Sequence, residues 1–332
     1  MRSFFDPRQL GHAPISELHN GAFAPHVETP ERARSILRAI GDTAPPVDHG
    51  EAALAAVHAP DYLAFLKTAF ADWQAVGRPG EAGGYTWPVV RRRPLALERI
   101  EAKLGRYSYD AATPIGPATW EASYWNAQVA LSALDDVLAG DTAFALCRPP
   151  GHHAGADYLG GYCYLNNAAI AAEAATRAGR RTAILDIDYH HGNGTQDIFY
   201  ARGDVFFASI HADPSTDYPF FWGHADERGE GAGEGATLNL PLAQGAALPA
   251  YQHALDLALD AVAGFAPDLL VVSFGADTFE GDPISGFALR TVDYAPVARR
   301  IASARLPTLI VMEGGYAVEA LGGNVAAFLS GF

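Results

Sequence analysis

The side chains of this 332-residue chain that could do chemistry stand where apolar runs stop. Ala143–Cys147 leads into Arg148-Pro-Pro-Gly-His152-His153, and Thr182–Leu185 into Asp186-Ile-Asp188-Tyr-His190-His191-Gly-Asn193-Gly-Thr. Leu269–Phe274 leads into Gly275-Ala-Asp277, and Thr308–Met312 into Glu313-Gly-Gly-Tyr316. Asp186, Asp188 and His190 are spaced by two, so a strand extended through them points all three to one face. Carboxylate and imidazole without a nearby thiolate suit Zn²⁺ or Fe²⁺. Asp188, His190 and Asp277 are assigned as three ligands, which leaves a position for water and substrate. Asp186, deeper in the strand, is a hydrogen-bond acceptor behind them. A two-metal centre needs further carboxylates for its second ion, and Gly275 and Gly192 carry no side-chain oxygen, so the pattern reads as single-metal.

Four strands must then deliver these groups to one rim. Continuous apolar strands alternating with helical segments (Trp120–Leu138, Asn167–Arg177, Leu248–Ala263, Tyr294–Ala304) predict an α/β fold. It is a single domain, with a mostly parallel central sheet and helices on both faces. In open sheets of this kind ligands bind beyond the carboxyl ends of the strands. Thr29-Pro30-Glu31 reads as the start of an earlier helix, and another begins near Asp61. Residues 72–115 read as a long irregular insertion, rich in Gly, Pro and aromatics and holding Arg91-Arg92-Arg93. The arginine run reads as a solvated face or a partner contact.

Composition narrows the function classes. With 23 Lys and Arg against 38 Asp and Glu, the net charge of −15 opposes nucleic-acid binding and favours small cationic partners. No apolar run is long enough to span a membrane, and no secretory signal stands at the start. Two cysteines, Cys147 and Cys163, cannot make a disulfide framework, and a cytoplasmic location is expected.

These motifs, with Gly160-Gly-Tyr-Cys-Tyr-Leu-Asn-Asn167, run from about residue 116 to 325 and resemble the zinc-dependent histone deacetylase family of the arginase–deacetylase fold. Asp277-Thr-Phe-Glu-Gly-Asp-Pro283 and the insertion are most similar to the bacterial acetylpolyamine amidohydrolases within it. The resemblance implies Asp188, His190 and Asp277 as zinc ligands, His152 and His153 as tandem histidines, and Tyr316 as the catalytic tyrosine. It implies Asp186 as the carboxylate that orients His152, with Asn193 beside His153. Gly161, Tyr162 and Tyr218 would wall a narrow substrate tunnel. Ser209 and Ile210, with Asp186, Asp188 and His190, would form a structural K⁺ or Na⁺ site.

The expected reaction is hydrolysis of an acetyl amide. Neutral His153 takes a proton from water and returns one to the leaving amine, His152 stays positively charged, and Tyr316 donates to the developing oxyanion. Two tyrosines across a tunnel favour a slender methylene chain, and Glu17 resembles an acidic rim position that would hold a distal ammonium; Glu101 and Asp110 are weaker candidates for the same task. The insertion is expected to cap the mouth and to dimerise. Rival readings are an acetyl-lysine protein or peptide deacetylase, a two-manganese ureohydrolase-like enzyme, and a silent binding protein. His12, His26, His49, His58, His211, His224 and His253 read as structural, while His191 fits packing or chemistry equally.

Overall fold

The computed structural model describes residues 1–19, 21–88 and 95–332. The Arg91–Arg93 run lies outside the described residues. Strand β1 (Arg2–Phe4) precedes a hairpin of β2 (Ser16–His19) and β3 (Ala22–Pro25). Helices α1 (Pro30–Ile40), α2 (Ala52–Ala55), α3 (Pro60–Ala75), α4 (Ile100–Tyr107) and α5 (Thr119–Leu138) follow. The alternating part comprises β4 (Thr142–Ala145), α6 (Asn167–Arg177), β5 (Thr182–Asp186), α7 (Asn193–Phe199), β6 (Val205–Ala212) and β7 (Thr237–Leu242). It closes with α8 (Leu248–Phe265), β8 (Leu269–Phe274), α9 (Thr291–Ala302), β9 (Thr308–Met312) and α10 (Val318–Leu329).

Seven strands form one parallel sheet in the order β1-β4-β9-β8-β5-β6-β7. Alternate residues of each central strand enter opposite cores. Leu185, Val272 and Ile310 pack with side chains of α8, α9 and α10. Ile184, Val271 and Leu309 pack with those of α5 and α6. Burying one such side chain is worth roughly 1.5–3 kcal/mol, so helices on both faces fix where each strand ends. The four strands whose ends carry the polar motifs, β4, β9, β8 and β5, are contiguous. Their loops therefore open side by side.

Two expectations change, and one element is new. The strand through Asp188 stops at Asp186, because side chains take over the backbone bonding there: Asp186 Oδ1 accepts Asp188 N at 3.1 Å and Asp188 Oδ1 accepts His190 N at 2.9 Å. Local carboxylate–backbone bonds of this sort compete with strand pairing. The insertion is not irregular throughout. Helix α4 buries Ile100 and Leu104 against Phe65 and Leu66 of α3 in a third core. The β2–β3 hairpin carries no apolar alternation, and Glu17 is its one buried residue, so the sequence pattern does not mark it.

Candidate active site

Beyond the carboxyl ends of β5 and β8, ligand atoms of Asp188, His190 and Asp277 all lie within 4.8 Å of one another. His190 Nδ1 is 3.4 Å from Asp188 Oδ1 and 3.1 Å from Asp277 Oδ2. All three residues are buried. A Cβ at Gly275 would collide with the Asp188 carboxylate, and one at Gly192 with that of Asp186. Both glycines thus make room for the acidic groups and add none of their own. Burial opposes charge on His190, yet the two carboxylates raise its pKa to about 10. Burial and the Asp188 carboxylate raise the pKa of Asp277 to about 7, and two carboxylates around one imidazole are a donor set of the kind that holds a divalent cation. The donor set therefore fits the metal that its residue types imply.

The loop after β4 brings in the tandem histidines. Glu313, at the end of β9, accepts Gly151 N at 2.6 Å and His152 N at 3.1 Å, and its Oε1 accepts from Ser273 Oγ. Asn166 caps α6 by accepting Ala169 N and also donates to Ala154 O and Thr195 Oγ1, tying the histidine loop to α6 and α7. His152 Nδ1 lies 3.0 Å from Asp186 Oδ2, and His153 Nδ1 lies 2.6 Å from Asn193 Oδ1. Burial disfavours charge on both. The Asp188 and Asp186 carboxylates overcome it for His152 and lift its pKa to about 10. His153 is pushed well down by burial together with the positive His152 and His190. One imidazole is held charged and its neighbour neutral.

Tyr316 is buried, and burial pushes its phenol well up, so it keeps its proton. Its loop is held from two sides. Asp282 Oδ2 accepts Tyr316 N at 2.6 Å and Ala317 N at 3.2 Å. Arg32 donates to Gly315 O and Glu313 O, and its guanidinium lies 4.8 Å from the Tyr316 ring centre. Gly315 has φ of +122°, a conformation a side chain would resist. Glu28 in turn pairs with Arg32 and with Arg148, each at 2.8 Å and all buried.

The remaining sequence candidates divide. Tyr218 packs against His153 and His190, with ring centres 5.2 and 6.1 Å away. Tyr162 lies instead against Tyr316, 5.7 Å between ring centres. Asp110 Oδ2 joins the two sides, accepting Gly161 N at 2.6 Å and Tyr218 Oη at 2.8 Å. Glu17 is buried rather than solvated. Its Oε1 accepts Tyr162 Oη at 3.1 Å, and burial raises its pKa despite that bond. Glu101 lies elsewhere, paired with Arg78 and Arg99. Ser209 pairs in register with Asp186, its hydroxyl 2.8 Å from His211 Nδ1, and Ile210 is fully buried. His191 contacts Asn239 Oδ1 and packs on His211, which makes it a packing residue. Cys163 is buried beside Gly161, and burial pushes its thiol well up.

Sequence reasoning missed Arg32, Glu28, Asp282, Tyr109 and Tyr158. Tyr109 reaches the site because residues 107–109 run beside Leu159, with Leu159 N donating to Tyr107 O and Tyr109 N to Leu159 O. An arginine closing the apolar β4 run was the one readable sign of the buried ion pairs.

Comparisons with known proteins show the family and the fold. The description "Histone deacetylase domain" matches residues 26–332. Acetylpolyamine amidohydrolase 1 of Pseudomonas aeruginosa is 51% identical, covering 100% of this chain and 99% of the relative. The acetylpolyamine amidohydrolase of Mycoplana ramosa is 47% identical over 95% of each chain. A crystal structure of acetylpolyamine aminohydrolase from Burkholderia pseudomallei superposes with a TM-score of 0.95 at 44% identity, over 100% of this chain and 98% of that one. This chain belongs to the histone deacetylase family.

Proposed function

We propose that the chain is an acetylpolyamine amidohydrolase, which splits the acetyl–nitrogen bond of N-acetylated linear amines. Asp188, His190 and Asp277 would hold one divalent ion, Zn²⁺ or, as the competing occupant, Fe²⁺. When bound, such an ion acts as a Lewis acid toward the acyl carbonyl and brings the pKa of water toward ~7. The observation that carries the reading is the gathering of those three groups beside a neutral His153 and a protonated Tyr316, in a chain whose full-length relatives bear that name.

The side chains divide the work. His153, its Nδ1 committed to Asn193, takes the proton of the attacking water at Nε2 and returns it to the departing nitrogen. His152, held positive by Asp186 and Asp188, stabilises negative charge as it develops. Tyr316 donates its phenolic hydrogen bond to the oxyanion. Tyr162, Gly161 and Tyr218 would flank the methylene chain, and Glu17 would face an ammonium; one of its oxygens, Oε2, is buried without a hydrogen-bond partner.

A K⁺ or Na⁺ ion beside Asp186, Asp188, His190, Ser209 and Ile210 would stiffen the β5–β6 rim, a role supported by the Asp186–Ser209 register. Residues 72–115 would cap the mouth and join two copies into a homodimer. Support comes from Tyr109, whose ring stacks on Tyr218, and from Asp110, which accepts the Tyr218 hydroxyl. No helix among the described residues is long and apolar enough to cross a membrane, in keeping with cytoplasmic work on a small cationic substrate.

The test compares kcat/KM on an N-acetylated diamine and on an acetyl-lysine peptide. Preference for the diamine is expected. Clear preference for the peptide would replace this reading with a lysine deacetylase.

A further inference from the structure

We infer that Tyr158 and Asp197 are positioning residues, which fix the amide of Asn193 and through it the tautomer of His153. The need arises because Asn193 stands where His153 requires an acceptor. A carboxylate presents two equivalent oxygens, whereas an amide presents an acceptor on one side and a donor on the other. With its nitrogen toward His153, Asn193 would demand that Nδ1 accept. The ring proton would then sit on Nε2, where the base needs a lone pair. The wrong tautomer at a catalytic histidine is severely damaging even where geometry is kept.

Three hydrogen bonds choose the orientation. Asn193 and Asp197 are four residues apart on α7 and share a face. Tyr158 Oη lies between them. It donates to Asp197 Oδ2 at 2.6 Å and stands 3.5 Å from Asn193 Nδ2. A carboxylate only accepts, so Tyr158 must give it the phenolic hydrogen and has only lone pairs left for Asn193. That draws Nδ2 toward Tyr158 and turns Oδ1 to His153 Nδ1 at 2.6 Å. The Tyr158 ring is seated on Gly155, where a Cβ would collide with it. Asp197 lies at the exposed end of this chain of bonds, so its substitution disturbs no core.

The effect on rate rests on the deacetylase reading above, so the test has one arm with turnover and one without. In the first, Tyr158→Phe is made in the natural Asn193 background and in Asn193→Asp. With Asn193, kcat is expected to fall roughly 10-fold, in the range seen for residues that orient a catalytic group, while KM stays within about 2-fold. In Asn193→Asp, whose carboxylate needs no orienting, the same substitution should change kcat by less than about 2-fold. Equal losses in both backgrounds, or no loss with Asn193, would overturn the inference. In the second arm, nitrogen-15 NMR of imidazole-labelled protein reads the His153 tautomer. It should be Nδ1-protonated in the natural chain and shift toward Nε2-protonated in Tyr158→Phe and in Asp197→Leu. An unchanged tautomer in both variants overturns the inference whether or not any acetylated amine is turned over.

Discussion

His152 and His153 are consecutive, with ring centres 4.1 Å apart, yet their surroundings drive them to opposite charge states. Two carboxylates, Asp188 and Asp186, overcome burial at His152, whereas His153 meets burial, two positive imidazoles and, at its Nδ1, only an uncharged amide. An acceptor without charge adds little to the stability of a protonated ring, which suits the base role proposed for His153.

Supplying charge there should therefore move the pH profile. Asn193→Asp places an anion against His153 and raises its pKa. Because the neutral ring is the active form, the acidic limb of kcat/KM shifts to higher pH. A shift of about one unit gives roughly a 10-fold loss on that limb and little change on the plateau. A limb that stays in place, or moves to lower pH, removes His153 as the titrating base.

Tyr316 should matter to rate and not to metal. Loss of one oxyanion donor typically lowers kcat about 10²–10³-fold. Tyr316→Phe keeps the ring against Arg32 and Tyr162, so metal content by elemental analysis should equal that of the natural chain. Turnover close to the natural rate would exclude the phenol from the chemistry.

Metal uptake should release protons. With its pKa raised to about 10, His190 carries a proton at neutral pH that a metal ion must displace. Affinity for Zn²⁺ should consequently rise with pH, by about 10-fold per unit for each proton displaced. Calorimetry in buffers of different ionisation enthalpy counts those protons. A pH-independent affinity between pH 6 and 8 would mean His190 is already neutral.

The buried pairs beneath Tyr316 should show in stability. Glu28 serves both Arg32 and Arg148, so Glu28→Gln leaves two buried guanidiniums without their counter-charge. Breaking a buried pair typically destabilises by about 3–5 kcal/mol. Urea unfolding should show a loss of that order, and an unchanged midpoint would assign the fold's tolerance to other contacts.

What could be read from the chain alone followed from locality. Asp188, His190, Asp277, His152, His153 and Tyr316 each sit just past an apolar strand, and that juncture is visible without coordinates. Helix α6 runs over Asn167–Arg177 as its pattern indicates. The end of β5 was not legible, since carboxylate bonds from Asp186 and Asp188 replace strand pairing. Nor were the Glu28–Arg148 pair and the Asp282 grip on Tyr316 N, which join distant residues and leave no periodic trace. Tyr158 and Asp197 become meaningful only when α7 is folded against the histidine loop.

The proposed hydrolysis depends on a single divalent ion at Asp188, His190 and Asp277. The most direct measurement titrates metal-stripped protein with Zn²⁺ while following hydrolysis of an N-acetylated diamine. Activity should rise linearly and level off at one ion per chain, and Asp277→Asn should abolish both binding and activity. Full activity without metal, or a plateau at two ions per chain, would contradict it.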